Sequence, residues 1–148
     1  MKISVIGSGA MGSLFGGKLA IAGENVVLYD VYRDHIDTVN KEGLSIEDAE
    51  TGKITVVHPQ ASSDPESVKN SDVLLIFVKS TNTESVANQF KSFAAPHTIV
   101  LTLQNGLGND AILVKHFGIE RTAIGVTSQG ATFLGPGKIR HAGKGPTH

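Results

Sequence analysis

A doubly wound α/β fold, with a mostly parallel sheet covered by helices on both faces, follows from three observations. Five short β-branched apolar runs recur at residues 3–6, 26–29, 73–78, 99–103 and 123–126. They are continuous rather than alternating, the pattern of parallel strands buried on both faces. Segments with apolar residues at helical spacing lie between them, and a glycine-rich turn at residues 7–12 joins the first run to the first such segment. Strand–helix alternation then implies right-handed crossovers within one sheet.

The elements read in order as follows. Residues 3–6 predict the first strand. In the next segment Met11, Leu14, Phe15, Leu19 and Ala22 share a helical face, and Gly23 stands where a C′ glycine ends the helix. After the second strand, at residues 26–29, Ile36 and Val39 mark a weaker helix that Gly43 stops. Residues 44–47 and 54–56 alternate apolar and polar about residues 48–53, which predicts a two-stranded antiparallel excursion. Asp64-Pro65-Glu66 reads as N-cap, N1 proline and first-turn acid of a short helix before the third parallel strand. In the third helix Val86, Phe90 and Phe93 share a face behind a Thr83 cap, and Pro96 closes the segment. The fourth helix, residues 109–117, stops at Gly118, and a Gly135-Pro136-Gly137 turn leads into a strand-like run at residues 138–140. The sequence stops without a closing helix, as a cut chain would.

Composition narrows the function classes. At 148 residues the chain fits one domain, residues 1–148, on a prior of about 150 residues per domain. With 13 Lys+Arg against 14 Asp+Glu, the net charge of −1 provides no overall field for nucleic acid or an anionic membrane. The absence of cysteine removes disulfides, thiolate metal sites and cysteine nucleophiles, and is compatible with a cytoplasmic location. No apolar run approaches the ~20 residues that cross a bilayer, and the start runs into a strand without a signal peptide's apolar core. The six histidines, at 35, 58, 97, 116, 141 and 148, form no i, i+4 metal pair and read as solvent-facing or loop residues. No Ser-His-Asp order, Walker A loop or HExxH is present, which removes support for hydrolysis and phosphoryl transfer.

Gly7-Ser8-Gly9-Ala10-Met11-Gly12 follows the first strand and opens the first helix. That context gives a GxGxxG its mechanism: a tight turn, close backbone approach to a pyrophosphate, and tight helix–strand packing, with unpaired helix N-terminal amides for the anion. This is the Rossmann-type arrangement. Asp30 ends the second strand 18 residues beyond Gly12, near the position of an acid that accepts from adenosine ribose hydroxyls. A carboxylate there favours NAD, whereas Arg33 can pair with a 2′-phosphate if it turns inward. The bland reading of Asp30 is a cap for the helix beginning near Arg33. Lys79 and Gln104-Asn105-Gly106 follow the third and fourth parallel strands directly, at the carboxyl ends where ligands of open α/β sheets bind. A lysine there attracts an anion, and an asparagine can both donate and accept.

These motifs, with Leu75-Ile76-Phe77-Val78-Lys79, Leu103-Gln104-Asn105-Gly106-Leu107-Gly108 and His141-Ala142-Gly143-Lys144-Gly145, resemble the N-terminal half of the ketopantoate reductase (2-dehydropantoate 2-reductase) family. The resemblance covers essentially the whole chain. It implies reduction of the 2-keto acid 2-dehydropantoate to pantoate with NADPH, in pantothenate and coenzyme A biosynthesis. It makes residues 7–12 the pyrophosphate cradle and Lys79 a cofactor-side and active-site cation. Asn105 becomes a contact to nicotinamide nucleotide and substrate, and Ala131 a backbone neighbour of the nicotinamide. Asp30-Val31 departs from the basic residue that NADPH-preferring members carry after the second strand, and some relatives with an acid there resemble NAD-dependent dehydrogenases of branched 2-hydroxyacids. The family's general-acid lysine and substrate-binding glutamate belong to an all-helical C-terminal domain beyond residue 148. The expectation is therefore a chain that binds dinucleotide with little or no turnover. An apolar face left for that domain is compatible with a homo-oligomer. Two competing readings are a non-catalytic nucleotide-binding module and an S-adenosylmethionine-dependent methyltransferase, whose glycine loop and acid after the second strand look alike.

Overall fold

The computed structural model describes residues 1–104 and 108–148. Along the chain run β1 (Lys2–Ile6), α1 (Ala10–Ile21), β2 (Asn25–Tyr29), α2 (Arg33–Glu42), β3 (Leu44–Asp48), β4 (Ile54–Val57) and β5 (Gln60–Ser62). They continue as β6 (Val73–Ile76), α3 (Thr83–Phe90), β7 (Ile99–Thr102), α4 (Asn109–Phe117), β8 (Thr122–Ile124), β9 (Gly130–Gly135) and β10 (Lys138–Gly143). Six strands form an all-parallel sheet in the order β5-β2-β1-β6-β7-β8. The order reverses between β1 and β6, so their carboxyl ends open the crevice that a doubly wound sheet offers a ligand.

Strand pleating divides the core in two. Ile3, Val5, Val26, Leu28 and Leu75 face one side with Leu14 of α1 and Ile36 and Val39 of α2. Ile6, Tyr29, Leu74, Ile76 and Val100 face the other, with Ala87 and Phe90 of α3 and Leu113 and Phe117 of α4. The expected burial on both faces therefore holds for the central strands. It fails for the last, because β8 is an edge strand with Ile124 57% exposed. Val126 lies beyond it and pairs its backbone with His148, at 2.7 and 2.8 Å.

The helix stops follow the sequence. The Gly23 amide donates to the Ala20 carbonyl and the Glu24 amide to that of Leu19, at 3.0 and 3.1 Å, so a Schellman motif ends α1 with Gly23 at φ +93°. Asp64 accepts the Glu66 amide at 3.0 Å and caps the short 3₁₀ turn Pro65–Val68. Thr83, in contrast, is not a cap. Asn82 holds that position, and the Thr83 hydroxyl is buried and donates across to Asn109 of α4 at 2.8 Å. Phe93 packs on the same core from the turn after α3 rather than from the helix.

A second, four-stranded sheet in the order β4-β3-β10-β9 enlarges the excursion predicted at residues 44–57. β3 pairs antiparallel with β4 and parallel with β10, which turns back on β9. Helix α1 lies between the two sheets and approaches both through glycine. A Cβ at Gly16 would stand 2.4 Å from Leu28 Cδ2, and one at Gly17 2.7 Å from Ile46 Cδ1. Overpacking at such contacts typically costs ~1–3 kcal/mol.

Candidate functional site

The loop between β1 and α1 gives each of its three glycines a separate task. Gly7 turns with φ +99°, and a Cβ there would lie 2.8 Å from the Phe77 backbone carbon. At Gly12 a Cβ would lie 1.8 Å from the Gly7 carbonyl oxygen, so this glycine lets the helix close on the loop. Gly9 differs: a Cβ there meets no atom within 4 Å. Its surroundings are open, and it caps the N-terminus of α1 without a side-chain hydrogen bond or an acidic residue in the first turn. The first amide with a helical partner is that of Ser13, which donates to the Gly9 carbonyl at 3.0 Å. The amides of Ala10, Met11 and Gly12 therefore point out of the helix end, as an anion site requires.

Two crevices flank this loop at the carboxyl ends of the strands. One, of about 240 Å³, is lined by Gly7, Tyr29, Asp30, Val31, Gln89 and Phe90 among others. Asp30 sits at its edge and accepts the Ser8 amide at 2.7 Å and the Tyr32 amide at 2.9 Å, one on each oxygen. It does not cap α2, whose N-cap is Tyr32. A carboxylate oxygen accepts more than one hydrogen bond, so acceptor capacity remains for a ligand hydroxyl. Burial, followed by the charges of Asp30 and Asp64, pushes the Tyr29 hydroxyl above its ordinary pKa against a hydrogen bond from Gln89. Tyr29 therefore stays a neutral donor. Arg33 is exposed at the start of α2 and has no ion pair among the described residues.

The other crevice, of about 270 Å³, is lined by Met11, Phe77, Val78, Lys79, Ser80, Leu103, Gln104, Thr127 and Gln129. Lys79 is exposed beyond β6 and has no ion pair among the described residues. The strands behind it are tied by a polar chain that sequence reasoning missed. Thr102 donates to Gln104 Oε1 at 2.8 Å, Gln104 Nε2 donates to Thr83 at 3.0 Å and to the Val78 carbonyl, and Asn109 Nδ2 donates to Ser80 at 3.2 Å. The loops after β6 and β7 are thereby held together. On the far wall Gln129 accepts from His141 Nε2 at 2.6 Å and donates to the Gly145 carbonyl. Ala131 lies opposite His141 in the β9–β10 ladder and packs against the core beside α1, away from the crevice lining. Asn105 lies outside the described residues. A larger, shallow depression of about 660 Å³ sits by Ala94 and Phe117, near the amino ends of β7 and β8 and away from the loop.

Three histidines contradict the solvent-facing expectation: the His116 side chain, on α4, is 8% exposed and lies 2.8 Å from Glu84, and two more are buried as whole residues. His35 is 1% exposed and His141 7% exposed. Desolvation holds both below the usual imidazole pKa; Asp30 opposes it at His35, while Lys18 and Lys144 reinforce it at His141. Only an unusual contact partner distinguishes such residues from loop histidines, and neither spacing nor composition carries that. Among the described residues no group of His, Asp and Glu is arranged to hold a metal, and no helix is long and apolar enough to cross a membrane.

Residues 3–148 match the profile of the family Ketopantoate reductase PanE/ApbA. The chain is 37% identical over 147 residues to a 2-dehydropantoate 2-reductase of Halobacterium salinarum, covering 99% of this chain and 48% of that protein. Among solved structures, a PanE/ApbA family ketopantoate reductase from Ralstonia eutropha superposes with a TM-score of 0.87 at 34% identity, covering 99% of this chain and 48% of the other. A D-mandelate dehydrogenase solved with NADH and anilino(oxo)acetate superposes with a TM-score of 0.86 at 30% identity, covering 99% and 46%. The chain thus spans about half the length of the relatives it matches.

Proposed function

The chain belongs to the ketopantoate reductase PanE/ApbA family, and from that premise we propose that it is the dinucleotide-binding domain, residues 1–148, of an oxidoreductase reducing 2-dehydropantoate to pantoate with NAD(P)H. The observation that carries this reading is the open approach at Gly9 between two crevices at the switch point of the sheet. In it, the loop of residues 7–12 cradles the diphosphate, which the amides of residues 10–12 receive at the helix end. Asp30 accepts from the ribose hydroxyls, with Arg33 close enough in sequence to reach a 2′-phosphate, and Lys79 serves the reacting end, the role the resemblance also gives Asn105. The dinucleotide, when bound, supplies the hydride. This chain's residues orient it, and Lys79 attracts the substrate carboxylate or the developing alkoxide. Lys79 is the one ionisable group lining its crevice among the described residues, while ketone reduction needs both a polarised carbonyl and a proton donor. We therefore expect dinucleotide binding with little or no turnover from these residues alone.

Asp30 favours a second reading within the same family. A carboxylate beside the ribose selects against a 2′-phosphate, and the dehydrogenase solved with NADH is among the relatives in fold and sequence. An NAD-dependent dehydrogenase of branched 2-hydroxyacids fits both facts. Fluorescence titration with NADH, NADPH and S-adenosylmethionine tests both readings. Saturable binding of either pyridine dinucleotide supports them, their order of affinity assigns the cofactor, and tight binding of S-adenosylmethionine alone refutes both. Ketopantoate-dependent oxidation of NAD(P)H at full enzymatic rates by the chain would contradict the turnover expectation.

A further inference from the structure

We propose that His35 is a positioning residue for the diphosphate loop, fixing Ser8 from the opposite side and tying it to the turn between β9 and β10. The proposal rests on the dinucleotide reading above.

The ring of His35 uses both nitrogens. The Gly137 amide donates to Nδ1 at 2.9 Å, so in the neutral ring the proton is on Nε2. Nε2 donates to Ser8 Oγ at 3.0 Å and lies 3.2 Å from Ser13 Oγ. The Ser8 hydroxyl can then donate to Ser13 Oγ at 2.9 Å, and the Ser13 hydroxyl donates to the Ser8 carbonyl at 3.0 Å. Every proton in this small network has one acceptor, and only the Nε2–H tautomer allows that. The Ser8 amide is meanwhile held by Asp30 at 2.7 Å. Ser8 is thus pinned through amide, carbonyl and hydroxyl, immediately before the open Gly9. A buried histidine filling space needs no such set of partners; this one joins α2, the glycine loop and a turn 102 residues away.

Protonation breaks the arrangement by geometry. A protonated Nδ1 would face the Gly137 N–H donor to donor. Around the ring, the glycine loop and α1 present serine hydroxyls, β9 presents the Phe133 ring at 5.1 Å between centroids, and the β9–β10 turn presents an amide. Asp30 at the end of β2 is the charged group that acts on the ring, and it favours the cation, while burial disfavours it more. The acidic neighbours on α2 itself, Asp34 and Asp37, are exposed. Dinucleotide affinity should therefore fall on acidification.

The test measures the Kd of NADH and NADPH, and the melting temperature, for the chain and for His35→Gln, His35→Phe and Ser8→Ala. Gln keeps a donor near the Nε2 position but does not titrate. The expected result is a Kd raised about tenfold in His35→Phe and Ser8→Ala, and within about threefold of the parent in His35→Gln. As pH falls from about 8 to below the ordinary imidazole range the parent should weaken, while His35→Gln stays flat. The double variant His35→Phe/Ser8→Ala should bind no worse than Ser8→Ala, because the two residues act as one unit. Variants that melt lower but bind as the parent does, with the parent's pH profile, would overturn the proposal. Should His35→Phe fail to fold, a Ser8→Ala chain with the parent's Kd and pH profile would overturn it equally. A parent chain that binds neither dinucleotide would sink the cofactor reading and this proposal with it.

Discussion

The two crevices beside the glycine loop carry opposite charge, and their charged groups are held differently. The one under Asp30 is walled by the ends of β1 and β2, the glycine loop, Val78 and the length of α3, and its carboxylate is already engaged by two backbone amides. The one under Lys79 is assembled from segments near residues 11, 77–80, 103–104 and 127–129, and its lysine has no ion pair among the described residues. A preorganised acceptor suits a neutral diol, and an unpaired cation suits an anion or a developing alkoxide. Under the proposed function a dinucleotide would lie with its sugar diol toward Asp30 and its reacting end toward Lys79.

Breaking the bridge between the crevices should have the largest effect. Gly9→Val projects into open space, so the melting temperature should hold while dinucleotide affinity falls about a hundredfold or more, ~3 kcal/mol, by titration. Gly12→Ala should do the reverse in kind. Its Cβ would meet the Gly7 carbonyl at 1.8 Å, so denaturant unfolding should show a loss of ~3 kcal/mol or more. Removing the charge of the second crevice, Lys79→Ala, should weaken dinucleotide about tenfold without changing stability, since the side chain is exposed. Asp30→Ala sharpens the contrast at the other end: both dinucleotides weaken, and the NADH-to-NADPH preference narrows by ~1 kcal/mol. The smallest effect is that of pH on stability. His35 and His141 have folded pKa values below the unfolded 6.5, so the unfolded chain binds more protons in that window. Their contribution is complete above about pH 6.5 and is lost as pH falls through the folded values, which equilibrium unfolding across that range would detect.

Distance along the chain decides what the sequence could reveal. The glycine loop and Asp30 of the first crevice are legible because strand, loop, helix and acid follow one another within residues 2–30, each with a local signature, whereas its α3 wall comes from residues 82–90. Gly23, Gly43 and Asp64 are legible for the same reason, since helix ends are written in one or two residues. β10 joining β3, by contrast, depends on a pairing across some ninety residues, and the apolar residues of β9, Phe133 and Leu134, are partly exposed. Thr83 carries a cap's residue type at a cap's position, yet tertiary context redirects its hydroxyl to Asn109. His35 is buried by a partner 102 residues along the chain, and His141 by its place on β10, with its ring on Gln129. The edge position of β8 was equally invisible, because a continuous apolar run does not say whether a further strand lies beside it.

A crystal structure with NADH or NADPH bound tests the central claim most directly. The diphosphate should lie over Gly9 within reach of the amides of residues 10–12, with the adenosine ribose at Asp30 and the nicotinamide beside Lys79. A dinucleotide seated anywhere else, or reversed between the two crevices, would contradict it.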